Sequence, residues 1–149
     1  MYTILLHIIG YDIWFYLTHL LLHTPILQKI HKIHHSCPYD KMDWRDTSKA
    51  HVIENIIQPW GIIAPYLLHY FFPGTYFLQP TYTTLVVAFT IVLVRGWMRH
   101  DHRFVWLIGN HHLLHHKMPQ TNYGEYWIDL LCCTRNPNLQ EYKYGYIYT

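Results

Sequence analysis

Residues 1–28 read MYTILLHIIGYDIWFYLTHLLLHTPILQ and form an almost uninterrupted apolar stretch. About 20 apolar residues cross a bilayer, so the pattern predicts a membrane segment over about residues 1–25. The stretch has neither the basic start nor the small-residue cleavage site of a signal peptide. Asp12, His19 and His23 interrupt it, and ionisable residues in a membrane segment are functional candidates by default. The stretch therefore predicts a membrane protein with polar chemistry on its first helix.

Two further apolar segments, at about 56–72 and 77–95, follow in the chain. Pro59 and Pro65 interrupt the first of them, and Pro73-Gly74 marks a turn before the second. We interpret the pair as a helical hairpin that passes through, or deep into, the membrane. Hydrophobic residues make up 51% of the chain and charged residues 13%, as suits a membrane protein. We expect an all-α integral membrane fold with a single domain over residues 1–149.

Basic residues lie in two stretches, one before and one after the predicted hairpin, whereas its tip at 73–76 has no charge. The positive-inside rule places both stretches on the cytoplasmic side. A formal net charge of +2 without a long basic run does not favour a nucleic-acid partner. The basic residues of the two stretches are Lys29, Lys32, Lys41, Arg45, Lys49, Arg95, Arg99, Arg103 and Lys117.

Histidines of one pattern, H-x-x-H-H, occur in both basic stretches, as HKIHH at 31–35 and HLLHH at 112–116. Positions i, i+3 and i+4 share a helical face, so each copy directs three imidazoles the same way. With the pair at 19 and 23, these groups hold eight of the chain's 14 histidines. We predict that the repeated groups bind metal on one membrane face. The eight histidines are His19, His23, His31, His34, His35, His112, His115 and His116.

The remaining histidines are weaker candidates. His100 and His102 flank Asp101 at the end of the predicted hairpin, and His100 is the stronger candidate of the two. A lone histidine on an apolar face is more often a hydrogen-bonded core residue, which is our interpretation of His7 and His69. His111 points off the face of its motif and is also expected outside the site.

The number and type of the ligands limit the metal. Four ligands close a structural zinc site, so eight or nine imidazoles suit two ions. Imidazole binds Zn, Cu, Fe and Ni, and the boxes contain no acidic residue. The three cysteines form no CxxC motif, and the HExxH motif of zinc proteases is absent. An oxidation of hydrocarbon needs a metal or cofactor, so lipid chemistry is the expected use of a nitrogen-rich centre at a membrane.

The histidine boxes and their flanks resemble the fatty acid hydroxylase/sterol desaturase superfamily of membrane di-iron oxygenases. HLLLH at 19–23 and the two H-x-x-H-H copies match its three boxes. DIWFY at 12–16 is similar to a D-x-x-x-Y lead-in, and HVIE at 51–54 to an H-P-x-E element in which Val52 replaces proline. RHD at 99–101 resembles an I-H-D element, and NYGEYWID at 122–129 resembles an N-Y-G stretch that ends in Asp. The last third is most similar to sterol C5-desaturases.

The resemblance implies an O₂-dependent enzyme that hydroxylates or desaturates a sterol, fatty acid or sphingolipid-type lipid. It implies two iron ions, for which zinc can substitute, and electrons from NAD(P)H through a separate cytochrome b5-type donor. It also implies an endoplasmic reticulum-type membrane and His100 as a ninth ligand, with no catalytic residue apart from the ligands. Seven residues are expected to orient the ligands or close the site: Asp12, His51, Glu54, Asp101, Asn122, Tyr123 and Asp129.

Two departures from the superfamily pattern leave alternatives open. The box-bearing segment begins the chain, so we expect an N-terminally short member in which a second copy can supply the cover of the missing helices. Cys132-Cys133-Thr134 stands where a Gly-Thr pair is common. The alternatives are a metal-binding membrane protein or subunit without turnover, and a metal-handling membrane protein.

Overall fold

The computed structural model describes residues 2–74 and 79–148, without the side chain of Leu139, and this part of the chain is helical with no β-strand. The prediction of an all-helical fold is confirmed. Short 3₁₀ turns connect the helices at 34–36, 39–41, 44–48, 58–63, 102–104, 139–141 and 146–148. The α-helices are α1 (Tyr2–Leu22), α2 (Gln28–His31), α3 (Val52–Ile57), α4 (Ala64–Phe71), α5 (Tyr82–Arg99), α6 (Val105–Ile108), α7 (His111–Lys117) and α8 (Tyr126–Leu131).

Helix α1 has a polar and aromatic inner face and an apolar outer face. Five of its nine buried residues recur at every fourth position, namely Thr3, His7, Tyr11, Phe15 and His19. Residues four apart lie above one another on a helix, so these side chains form one inward stripe. Of the leucines and isoleucines between them, Leu5, Ile13 and Leu17 are exposed and the others are half-buried. Pro25 follows the end of the helix, where it disfavours helical backbone at the preceding residue.

Two helices in the described ranges, α1 and α5, are long and apolar enough to cross a membrane. Only 39% of the most apolar window of α1 and 22% of that of α5 is buried, so neither resembles the core helix of a soluble protein. Thr81 begins α5 with a capping box to Thr84, in which each side chain accepts a hydrogen bond from the other's backbone N–H. Two apolar helices with apolar outer faces indicate a membrane location.

The first arm of the predicted hairpin is not one continuous α-helix. It comprises the end of α3, a 3₁₀ segment at 58–63 and the eight-residue α4. Pro59 and Pro65 occupy the first turns of the two later pieces, where a missing backbone N–H costs least. Residues 75–78, at the predicted tip, lie outside the described residues. A membrane segment at 56–72 stays a prediction.

Helix α1 packs against the 3₁₀ segment 58–63, α4 and α5. The shared core contains Tyr11 and Phe15 of α1, Ile62, and Ala88 and Val92 of α5. His7 is fully buried here, and its Nδ1 lies 2.5 Å from the carbonyl of Ile62. The interpretation of His7 as a hydrogen-bonded core residue therefore agrees with its position.

Candidate metal centre

Nine buried or half-buried imidazoles form two adjacent clusters. Within each cluster, the candidate ligand atoms lie within 4.8 Å of one another. The nine residues are the same nine that the sequence and the resemblance nominate as ligands. We call the larger cluster site A, which contains His19, His23, His31, His35 and His115, and the smaller one site B, which contains His34, His100, His112 and His116.

The Nε2 atoms of site A face one another at short range. His31 Nε2 lies 3.0 Å from the Nε2 atoms of both His19 and His35. His115 Nε2 lies 3.0 Å from that of His23 and 3.1 Å from that of His35. The five nitrogens therefore converge on one small volume.

Site B repeats this arrangement with four rings. His100 Nε2 lies 3.2 Å from His34 Nε2 and 3.0 Å from His112 Nε2. The ring of His116 completes the cluster, with its centroid 4.7 Å from that of His34 and 4.5 Å from that of His35 in site A. His116 therefore lies where the two sites meet.

Each H-x-x-H-H copy contributes to both sites. In the second copy, on α7, His112 and His116 belong to site B and His115 to site A. The first copy has the opposite division: the pair four residues apart joins site A, and the middle histidine at 34 joins site B. The first copy does not lie on one regular helix, because it begins at the end of α2 and continues into a 3₁₀ turn. The two copies together therefore build a paired centre.

Hydrogen bonds at Nδ1 orient several of these rings. His19 Nδ1 lies 2.5 Å from the carbonyl oxygen of Tyr123, and His115 Nδ1 lies 2.6 Å from that of Thr121. His100 Nδ1 lies 2.8 Å from the carbonyl oxygen of Gly96. A carbonyl only accepts, so each Nδ1 donates its proton and the neutral ring leaves a lone pair on Nε2. The lone pairs therefore point into the clusters.

Converging lone pairs fit a bound cation. Two unprotonated Nε2 atoms cannot hydrogen-bond to each other, so a separation of 3.0 Å is unfavourable without a positive charge between them. Metal–imidazole bonds of about 2.1 Å that meet at a right angle separate two nitrogens by about 3.0 Å. The donor set of both sites therefore suits a transition-metal ion that prefers imidazole.

Burial keeps the imidazoles in the neutral form that binds metal. It lowers the pKa of His23 to about 4 and the pKa of His35 to about 3, with a further contribution from the neighbouring His31. Burial, and then the charge of Arg99, lower the pKa of His100 to about 3. Burial and adjacent imidazoles also hold four other pKa values well below the usual range, namely those of His34, His112, His115 and His116.

Glu54 is the carboxylate in contact with a candidate ligand. Its Oε1 lies 2.9 Å from His31 Nδ1, and both side chains are 1% exposed. The same oxygen accepts a hydrogen bond from Gln58 Nε2 at 3.2 Å. The side chain of His51 has a different role: its Nδ1 accepts a hydrogen bond from the backbone N–H of Ile53 and so caps α3. Glu54 therefore holds the ring of a candidate ligand, and His51 caps the helix that carries Glu54.

The structure gives Asp12 and Asp101 roles that differ from the expected one. Asp12 pairs with Arg95 at 2.6 Å and accepts a hydrogen bond from Trp127 Nε1 at 3.2 Å. Asp101 pairs with Arg103 at 2.6 Å and caps the 3₁₀ turn that follows. A buried carboxylate is stabilised most by a cation, and in both cases an arginine supplies it. The expectation that these two residues orient an imidazole is corrected accordingly.

The segment after α7 closes one side of site A. The ring of Tyr123 lies 5.2 Å from that of His23 and 5.5 Å from that of His115, between centroids. Asp129 accepts a hydrogen bond from the backbone N–H of Gly124 at 2.9 Å. Asn122 has a positive φ of 56° and donates a hydrogen bond to the carbonyl of residue 111. Asn122 and Asp129 therefore hold the turn that presents the Tyr123 carbonyl to the site.

Sequence reasoning missed a buried ionic network beneath site B. Glu125 Oε1 accepts hydrogen bonds from the guanidinium groups of Arg95 at 2.8 Å and of Arg99 at 2.9 Å. The Arg99 guanidinium lies 4.1 Å from the ring centroid of Phe15, and this ring lies 6.2 Å from that of His112. Two arginines four residues apart in an apolar helix were the available signal, because charges there are rarely incidental.

Two cavities reach the clusters. One, of about 260 Å³, is mainly apolar and is lined by His34 and His100 of site B together with Phe89, Val92 and Leu93 of α5. We call it the apolar cavity.

The other cavity, of about 240 Å³, is more polar and adjoins site A. Three of its lining residues, His23, His31 and His35, belong to site A, and Lys32 and Gln120 also line it. We call it the polar cavity. Site A therefore opens toward polar surroundings, whereas site B opens toward apolar ones through His34 and His100 and meets the polar cavity at His116.

The two outlying histidines, His102 and His111, lie outside both clusters. His102 is exposed, and its Nε2 contacts the carbonyl oxygen of Tyr39. His111 Nε2 accepts a hydrogen bond from the backbone N–H of Tyr126.

The model of the family described as fatty acid hydroxylase matches residues 4–134. The chain belongs to the fatty acid hydroxylase family. The match spans all nine clustered histidines and confirms the resemblance to the fatty acid hydroxylase/sterol desaturase superfamily. Members of this family are oxidoreductases of the hydroxylase and desaturase type, so membership supports an enzyme that oxidises lipid. No curated protein and no solved structure matched the chain.

Proposed function

We propose that this protein is an O₂-dependent oxygenase that hydroxylates or desaturates a membrane lipid. The observation that carries the proposal is the contact between the apolar cavity and site B. His34 and His100 line the same space as Phe89, Val92 and Leu93, so a hydrocarbon in this space would lie beside the candidate ligands. Family membership supports lipid as the substrate class.

We propose that sites A and B each hold one iron ion, for which zinc can substitute. Iron bound there would supply the oxygen activation that an unactivated C–H bond requires and that side chains alone lack. The hydrogen bonds from Nδ1 of His19, His100 and His115 to backbone carbonyls keep the Nε2 atoms directed at the ions. Such outer hydrogen bonds fix ring orientation and raise ligand basicity.

The apolar cavity is proposed to bind the hydrocarbon part of a sterol, fatty acid or sphingolipid-type substrate. Phe89 and Leu93 are also partly exposed on the outer face of α5, so the wall of the cavity continues into the surface that faces lipid. Apolar walls hold the chain in place and exclude water from the oxidation. Thr47 and Gln58 supply polar groups at the lining.

Electrons are proposed to come from NAD(P)H through a separate donor of the cytochrome b5 type. The polar cavity beside site A supports this, because it gives the centre a second approach that does not compete with the lipid. The basic residues on either side of the hairpin favour a cytoplasmic orientation of the centre. The family resemblance favours an endoplasmic reticulum-type membrane. A homo-oligomer would cover additional apolar surface.

Lipid profiling of cells that express the chain tests this proposal. The matched controls are His115→Ala, which removes a ligand of site A, and His69→Ala, which removes a histidine outside both sites. We expect a new hydroxylated or unsaturated lipid with the wild type and with His69→Ala, and its loss with His115→Ala. A protein that binds two metal ions but forms no product with a competent donor would instead be the metal-binding form without turnover.

A further inference from the structure

We infer that the two sites are unequal: site A binds its metal ion first and more tightly, and site B fills second and empties first. This inference rests on the metal centre of the proposed function, but not on turnover. Two independent differences between the sites support it: a buried carboxylate and the number of oriented rings.

The first difference is the charge of Glu54. Its side chain is 1% exposed, and the hydrogen bonds to it, from His31 and Gln58, both go to Oε1. Within the described residues, its Oε2 is buried without a hydrogen-bond partner. A buried anion is costly unless a positive charge balances it. A metal ion on His31 Nε2 supplies that charge through the ring, so Glu54 strengthens binding at site A.

The second difference is the number of rings that are held at Nδ1. In site A, His19, His31 and His115 are each held by a carbonyl or carboxylate oxygen. In site B, His100 is held in this way, whereas the Nδ1 atoms of His34 and His112 are buried without a partner in the described residues. A ring that is already oriented loses less freedom when it binds metal.

His116 extends the second difference. Both of its ring nitrogens are buried without a hydrogen-bond partner among the described residues. It is also the ligand of site B that lines the polar cavity. The ring is therefore the least constrained member of its site and lies on a route to solvent.

Titration of the metal-free, detergent-solubilised chain with Zn²⁺, in competition with a chelator of known affinity, tests the inference. Zn²⁺ binds imidazole and has no redox chemistry, so the readout is independent of activity. We expect two steps of one ion each, with dissociation constants that differ at least about tenfold, the scale on which outer hydrogen bonds act.

Two substitutions assign the steps. Glu54→Gln keeps the shape of the side chain, removes its charge and weakens the tighter step by about 10–100-fold. His112→Ala removes the weaker step and leaves the tighter one. The matched controls are Glu141→Gln, at an exposed pair with Lys117, and His102→Ala, at an exposed histidine, and neither changes a step.

Several results would overturn the inference: a single step of two equal ions, loss of the tighter step in His112→Ala, or weakening of only the weaker step in Glu54→Gln. Ordered binding without lipid oxidation would leave the inference standing and contradict the proposed function. Lipid oxidation by a chain with two equal sites would support the proposed function and contradict the inference. A chain that binds no metal would contradict both.

Discussion

Removal of the Glu125 charge is expected to destabilise the protein strongly, although this residue touches neither site. Glu125 is 6% exposed and accepts hydrogen bonds from two arginines at 2.8 and 2.9 Å. Burial alone would raise its pKa, but Arg95 and Arg99 lower the pKa well below its usual range, so the group is ionised at neutral pH. Glu125→Gln keeps the size of the side chain and leaves two buried guanidinium groups with Asp12 as their remaining carboxylate partner among the described residues.

The magnitude follows from the burial of the pair. Loss of one partner of a buried ion pair typically costs about 3–5 kcal/mol, because a buried charge remains uncompensated. At about 2–4 °C per kcal/mol for a chain of this size, the melting temperature should fall by about 6–20 °C. Glu141→Gln makes the same chemical change at a pair whose side chains are 47% and 33% exposed, where about 0–1 kcal/mol is expected.

Thermal unfolding of both variants in one detergent, followed by intrinsic tryptophan fluorescence, provides the assay. The prediction requires a large decrease for Glu125→Gln and a small one for Glu141→Gln. Equal decreases of 1 or 2 °C on the scale above would refute the reasoning, because they would mean that the network carries no buried uncompensated charge.

Three further results are expected. Val92→Phe fills the apolar cavity and should raise KM for the lipid without lowering metal content, whereas Ile91→Phe, on the exposed face of the same helix, should leave both unchanged. Gly61→Ala should destabilise the contact between α1 and residues 58–63, because the added Cβ would lie 2.6 Å from the Gly10 carbonyl oxygen. Gly96→Ala should be tolerated, because an added Cβ there lies 3.5 Å from its neighbour. A lower melting temperature for Gly61→Ala than for Gly96→Ala is the expected result. The metal-free chain should lose stability as the pH falls from about 6.5 toward 3 or 4. The reason is that buried rings such as His100, whose pKa in the folded chain is about 3, protonate more readily in the unfolded chain. A chain that is equally stable at pH 7 and pH 4 would contradict this prediction.

The ligand candidates could be predicted from the sequence because their grouping is mostly local. Spacings of three and four residues bring histidines together on a helix without knowledge of the tertiary fold. The division between the two sites could not be predicted in this way. It depends on how α7 packs against both the turn at 31–36 and the end of α5, so that His115 meets His35 and His112 meets His100.

The buried charges show the limit of local patterns more clearly. On sequence alone, Asp12 is among the residues expected to orient the ligands or close the site. In the fold it pairs with Arg95, 83 residues away, because a buried carboxylate is stabilised most by a guanidinium. Glu125 lies within the NYGEYWID stretch at 122–129, but not at a position that identifies the family element, and its arginine partners come from a different helix. Long-range ion pairs of this kind are set by tertiary packing.

The iron content of the purified chain tests the central claim most directly. The account predicts two iron ions per chain in the wild type and in His69→Ala. It predicts a lower content in His34→Ala and in His115→Ala, since these residues belong to site B and site A respectively. A wild-type chain that retains no transition metal after loading with iron, or ligand variants that retain the full two equivalents, would contradict the account.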